Sequence, residues 1–155
     1  MNPKEAFNKL AILCSKKEYC ISDMQKKMQY WKLNSKQETQ IIAQLIDEKY
    51  IDEKRFTEAF VKDKFRFNKW GKYKISFQLK QKGINQELIE SALEIITETD
   101  YFEIIEELLI SKNKSIKAQT EYERRGKLLR FMAQRGFEID AVNIKLDSLI
   151  DKLSD

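Results

Sequence analysis

Lysines and arginines crowd one stretch of this chain. Between Lys54 and Lys82, ten Lys or Arg stand against Glu58 and Asp63 alone, a local net charge of +8. From Ile84 to Ile110 there are eight acids and no Lys or Arg, a net of −8. The formal total of +4 hides this blocked pattern. Lys62, Lys64, Arg66, Lys69, Lys72 and Lys74 are residues that bind phosphates or acidic side chains. A solvated helix face is the plain alternative, but acids at i±4 are nearly absent, so pairing within a helix does not account for the run. A second basic set, Arg124, Arg125, Lys127 and Arg130, has Glu121 and Glu123 beside it. Phe67, Trp70 and Tyr73 interleave with the first set, as stacking platforms for single-stranded bases do, although a Trp at a helix junction is more often packing. The acidic stretch from Glu87 to Glu107 either complements the basic run internally or meets a basic patch on a partner.

Other chemistry is poorly provided for. The chain has no His, which removes the usual general base and the commonest metal ligand. It shows no G-x-x-x-x-G-K-[ST] and no G-x-G-x-x-G phosphate cradle. No catalytic residue, metal site or cofactor is expected. Cys14 and Cys20 form neither a C-x-x-C motif nor a disulfide framework; Cys14 reads as a small core residue, and Lys16 and Lys17 can lower the thiol pKa of Cys20. No apolar run approaches the roughly 18 residues that span a bilayer, and no signal-peptide pattern opens the chain. A cytoplasmic monomer without membrane contact is the expectation.

The elements that must position the cations are helices. With four Gly and one Pro in 155 residues, 42% of them hydrophobic and 35% charged, the composition suits amphipathic helices. Asn2-Pro3-Lys4-Glu5 predicts a helix start, followed by Phe7, Leu10, Ala11 and Cys14 as a buried stripe. A second helix runs from about Ile21 to Lys32, with Met24 and Met28 inward. Ser35-Lys36-Gln37-Glu38 predicts a capping box before Ile41, Ile42, Leu45 and Ile46. Asp52 caps a fourth helix with two apolar sides, Phe56, Ala59, Phe60 and Phe67 on one and Val61 and Phe65 on the other. Lys62, Arg66 and Lys69 form a basic edge between them. After Gly71 comes a helix with Ile75 and Leu79 on one face and Tyr73 and Phe77 on another, stopped at Lys82-Gly83-Ile84. Asn85 caps the next, with Leu88, Ile89, Ala92, Leu93 and Ile96 inward; Asp100 opens another through Phe102, Ile105, Leu108 and Leu109. Residues 111–119 read as a loop. Thr120-Glu121-Tyr122-Glu123 opens a helix through Leu128, Leu129 and Met132, and a last one buries Val142, Leu146, Leu149 and Leu153.

The order repeats. Met24/Met28, Ile75/Leu79 and Leu128/Met132 are one apolar pair in three copies, at offsets of 51 and 53 residues. Lys82-Gly83-Ile84 and Arg135-Gly136-Phe137 keep the second offset, while Trp31-Lys32-Leu33 keeps the first without the Gly. The expected fold is all-α: three tandem three-helix repeats, residues 1–51, 52–98 and 99–155, stacked into an elongated, curved molecule.

Tyr50-Ile51-Asp52-Glu53, Arg55-Phe56, Val61-Lys62, Gly71, Ile75, Leu79 and Lys82-Gly83-Ile84 resemble the signature of the RecX family, regulators of the recombinase RecA. There are departures: Thr57 stands where that family usually has Ala, Lys64 where Arg is common, and Cys20 where Ser is usual. The resemblance implies three three-helix repeats. It also implies binding along the RecA–single-stranded DNA filament and restraint of its growth, ATP turnover and strand exchange, within recombination, DNA repair and the SOS response. On that reading the two basic sets meet RecA or the enclosed DNA. An independent helix-turn-helix DNA-binding protein is the alternative, since three short helices are that motif's geometry.

Overall fold

Helices in this chain start where a side chain replaces a missing ladder partner. The computed structural model describes residues 1–153. Among them it places α1 (Pro3–Lys16), α2 (Ile21–Tyr30), α3 (Ser35–Asp47), α4 (Glu53–Arg66) and α5 (Lys72–Gln81). These are followed by α6 (Gln86–Leu93), α7 (Glu98–Asn113), α8 (Glu121–Gln134) and α9 (Ile139–Leu153), with no strand among the described residues. The expected caps at Asn2, Asp52, Asn85 and Thr120 each accept the backbone N–H three residues on, at 2.9–3.1 Å.

Two starts lie elsewhere than predicted. Asn34, not Ser35, caps α3: its Oδ1 accepts Gln37 N–H at 2.8 Å and Gln37 Oε1 accepts Asn34 N–H at 3.0 Å. Asn34 is extended and Ser35 already helical, so the box sits one residue earlier. Thr97 caps α7 through Asp100 N–H at 3.1 Å, which makes Asp100 the third residue of that helix rather than its start. The same helix continues through 111–113, so the loop is shorter than expected.

The stops repeat. Lys32, Gly83 and Gly136 have φ of 61°, 81° and 92°. Beyond each, the next N–H returns to a carbonyl five residues back: Leu33 to Met28, Ile84 to Leu79 and Phe137 to Met132, all at 3.1 Å. This is the Schellman closure, and it recurs at the offsets read from the sequence. Lys32 adopts the left-handed conformation with a Cβ, a strained choice for a non-glycine residue.

The helices form two compact units, one from Met1–Phe60 with Leu79–Ala92, the other from residues 61–78 with those from Leu93 onward. In the first, Ala6, Leu10, Met24, Met28, Ile41 and Leu45 anchor a core joined by the half-buried Phe7, Cys14 and Ile42. Ile46 is 45% exposed and falls outside the stripe predicted for it. Asp23 ties α2 to Lys82 at 2.9 Å, and Glu18 pairs with Arg55 at 2.5 Å. Burial, more than any neighbouring charge, pushes both thiols up, so Lys16 and Lys17 do not activate Cys20. In the second unit Ile105, Leu109, Leu128, Met132, Val142 and Leu146 are buried along α7, α8 and α9.

Replacing Lys32 by Gly should relieve the strained φ and raise the urea midpoint by the equivalent of roughly 0.5–1 kcal/mol, after the entropy a glycine adds to the unfolded chain. Gly83→Ala should lower it, although a methyl there meets no atom within 4 Å. Equal midpoints for all three proteins would refute a conformational origin.

Candidate nucleic-acid interface

The basic run is positioned by the first turn of α5. Three of its first N–H groups are taken by partners outside the helix: Gly71 donates to Arg135 O at 2.7 Å, Lys72 to the Tyr101 hydroxyl at 3.0 Å, and Tyr73 to Gly136 O at 2.9 Å. The carbonyls come from the end of α8, where orphan acceptors are available. Close approach requires the absence of side chains. A Cβ on Gly71 would lie 2.3 Å from Gly136 O, and one on Gly136 would lie 2.3 Å from Lys74 Cβ. Arg135 donates from its guanidinium to the carbonyls of Asn68 and Lys69, just past α4.

Tyr101 is the side chain that completes this arrangement. It is buried between Phe65 and Phe137, at ring-centroid distances of 6.0 and 5.3 Å. Its hydroxyl accepts from Lys72 and donates to the Glu138 carboxylate. Burial, and then the hydrogen bond to Glu138, holds its phenol well above the ordinary value of 10.0.

The first basic set divides into three. Lys62 and Arg66, at i and i+4 on α4, are exposed, with no ion-pair partner among the described residues. Lys69 pairs with Glu107, and the Lys72 ammonium lies 4.6 Å from the Tyr101 ring centroid. Lys64 and Lys74 both approach the Trp70 ring, at 5.1 and 4.7 Å. Lys69 therefore leaves the predicted edge with Lys62 and Arg66. Phe67, expected on an apolar side of α4, is 80% exposed because the helix ends at Arg66.

The second set is held more tightly. Arg124 donates to Asn113 Oδ1 at 2.6 Å and lies 3.9 Å from Glu121; Arg125 binds Asn143 Oδ1 at 2.7 Å and Asp147 at 2.9 Å. Lys127 donates to Lys117 O at 2.6 Å and pairs with Glu123 at 3.3 Å. Arg130 is exposed. Arg125 and Arg135 are ten residues apart on α8, about 15 Å along its axis, so only the far end of that helix adjoins the first set. The sequence marks Arg135 only as part of the repeated helix end, and Tyr101 not at all. The fixed offset between Gly83 and Gly136 points to the neighbourhood of Arg135, but nothing local marks Tyr101.

Residues 52–93 match the second three-helix domain of RecX, and residues 98–146 match the third. Those two spans are more than half of the chain. It belongs to the RecX family. Regulatory protein RecX of Chlorobium phaeobacteroides is 28% identical over 146 residues, 94% of each protein. That of Leuconostoc mesenteroides is 27% identical over 137 residues, 88% of this chain, which spans about half the length of that relative (51%). A crystal structure of RecX from Lactobacillus salivarius superposes with a TM-score of 0.82 at 20% identity, over 95% of this chain and 96% of that one. A second RecX crystal structure gives 0.86 at 21%, over 94% and 73%. The fold is thus the all-α repeat fold of RecX.

Tyr101→Phe should cost about 1–3 kcal/mol, because Lys72 N–H and the Glu138 carboxylate lose a buried partner. The raised phenol adds a pH dependence of defined sign. Its stabilisation is fully present below the unfolded value near 10.0 and is lost as pH rises toward the folded value. Urea midpoints of wild type and Y101F should therefore converge above pH 10. A constant gap from pH 8 to pH 11 would contradict this.

Proposed function

We propose that this chain binds the filament RecA forms on single-stranded DNA and restrains its extension, ATP hydrolysis and strand exchange, modulating recombination and DNA repair. It acts as a cytoplasmic monomer, with residues 1–51, 52–98 and 99–155 as its three repeats and no catalytic or cofactor chemistry of its own. Membership of the RecX family is the observation that carries this reading. Lys62 and Arg66 add a physical reason: two exposed cations one helical turn apart offer their charge outward, toward phosphates or acidic side chains.

The test is DNA-dependent ATP hydrolysis by RecA with and without the protein. Suppression is expected, and K62E/R66E should lose most of it while keeping its helical content, since exposed charges seldom contribute more than about 1 kcal/mol each. Reversing Lys69 or Lys72 would be less clean, because one is paired with Glu107 and the other covers Tyr101. ATP turnover by the purified protein alone, or undiminished suppression by K62E/R66E with unchanged salt dependence, would sink the proposal. A duplex sequence preference independent of RecA would favour the helix-turn-helix alternative.

A further inference from the structure

Between Lys64 and Phe77 the chain carries five cations and no acid, and three of its aromatics face solvent. Phe67 is 80% exposed, Tyr73 67% and Phe77 57%. Each is a large apolar ring that the chain's own packing leaves uncovered. Trp70, between them, has both the Lys64 and the Lys74 ammonium within about 5 Å of its ring centroid. Phe67, the first residue past α4, is three residues beyond Lys64 and still donates its N–H to Asp63 O at 2.9 Å; on α5, Phe77 is three residues beyond Lys74. Within α5, Lys74 and Phe77 at that spacing share a helix face, about 5–6 Å apart at Cβ. Two exposed rings, Phe67 and Phe77, thus flank in the chain a Trp70 ring that carries two ammonium groups.

We infer that the α4–α5 junction binds single-stranded DNA through its bases, with Phe67 and Phe77 stacking bases and Lys64 and Lys74 taking phosphates. Trp70 is the positioning residue: it holds the two ammonium groups near one ring through cation–π attraction. Single-stranded DNA fits because only an unpaired strand offers base faces and phosphates at alternate steps. A protein partner's apolar face would use the rings but not the exposed charge of Arg66 or the two ammonium groups beside Trp70. Duplex DNA would use the cations but not the rings. The inference rests on the filament reading and deepens it, naming the bases of the strand as what this face touches.

The experiment compares fluorescently labelled oligothymidylate with an abasic oligonucleotide of equal length, by anisotropy at several salt concentrations. The wild type should prefer the base-bearing strand. Phe67→Ala and Phe77→Ala should each weaken oligothymidylate binding about fivefold or more, the low end for one lost stacked base, without changing the salt slope. Lys64→Gln and Lys74→Gln should instead reduce the slope by roughly 0.7 per lost phosphate contact. Circular dichroism of each variant checks folding. Equal affinity of the wild type for both strands overturns the inference, as does unchanged oligothymidylate binding by both ring variants. If those variants bind the strand normally yet lose suppression of RecA, the face docks protein and the inference also fails. Base-dependent binding by a wild type that leaves RecA unaffected would keep the inference and sink the filament reading.

Discussion

The first turn of α5 presents backbone donors and the last turn of α8 presents backbone acceptors, and neither helix can satisfy those groups alone. They meet end to end, with Gly71 and Gly136 lacking the atoms that would hold them apart. The partial charges at the two termini have opposite sign, so their approach is also electrostatically favourable. Tyr101 supplies the remaining acceptor for Lys72 N–H, and Arg135 takes the free carbonyls just past α4. Every cation from Lys64 to Lys74 is hung on a backbone fixed by these contacts. The charge of this region belongs to the sequence; its placement belongs to the helix junction.

Much of this was legible in the sequence wherever the cause is local. Asn2, Asp52, Asn85 and Thr120 cap helices because the bond they make closes within three residues. Ser35 and Asp100 were read as helix starts although a better-placed capping side chain, Asn34 or Thr97, lies one or three residues earlier. The pairing of Lys69 with Glu107 was not legible: an acid search at i±4 cannot see a partner 38 residues distant. Tyr101 was hidden for the same reason, its hydroxyl partners lying 29 and 37 residues away. The acidic stretch complements the basic chain in part, through Glu107 with Lys69 and Glu106 with Lys145 at 3.6 Å.

The three repeats share one stop but make different demands on it. At Gly136 both the left-handed φ and the contact with Lys74 exclude a side chain. At Gly83 only φ does, since no atom lies within 4 Å of a hypothetical Cβ. At Lys32 the chain accepts the strain, as it does at Lys49 and Lys69. Only at Gly136, the position that supports the basic run, do conformation and close contact both require glycine. The first copy of the motif was faint in the sequence because a lysine, Lys32, holds the left-handed position there.

The junction also sets an order of assembly during synthesis. Gly71 leaves the ribosome 65 residues ahead of Gly136, a delay of several seconds at about 5–20 residues per second. Throughout that interval the first turn of α5 has neither its carbonyl acceptors nor the Tyr101 hydroxyl, and the lysines around Trp70 have no fixed frame. The core of the N-terminal helices, α1 to α3, has all of its residues by Ile51 and can close meanwhile. A nascent chain stopped between Lys82 and α8 therefore carries the full positive charge of residues 54–82 without the geometry that organises it.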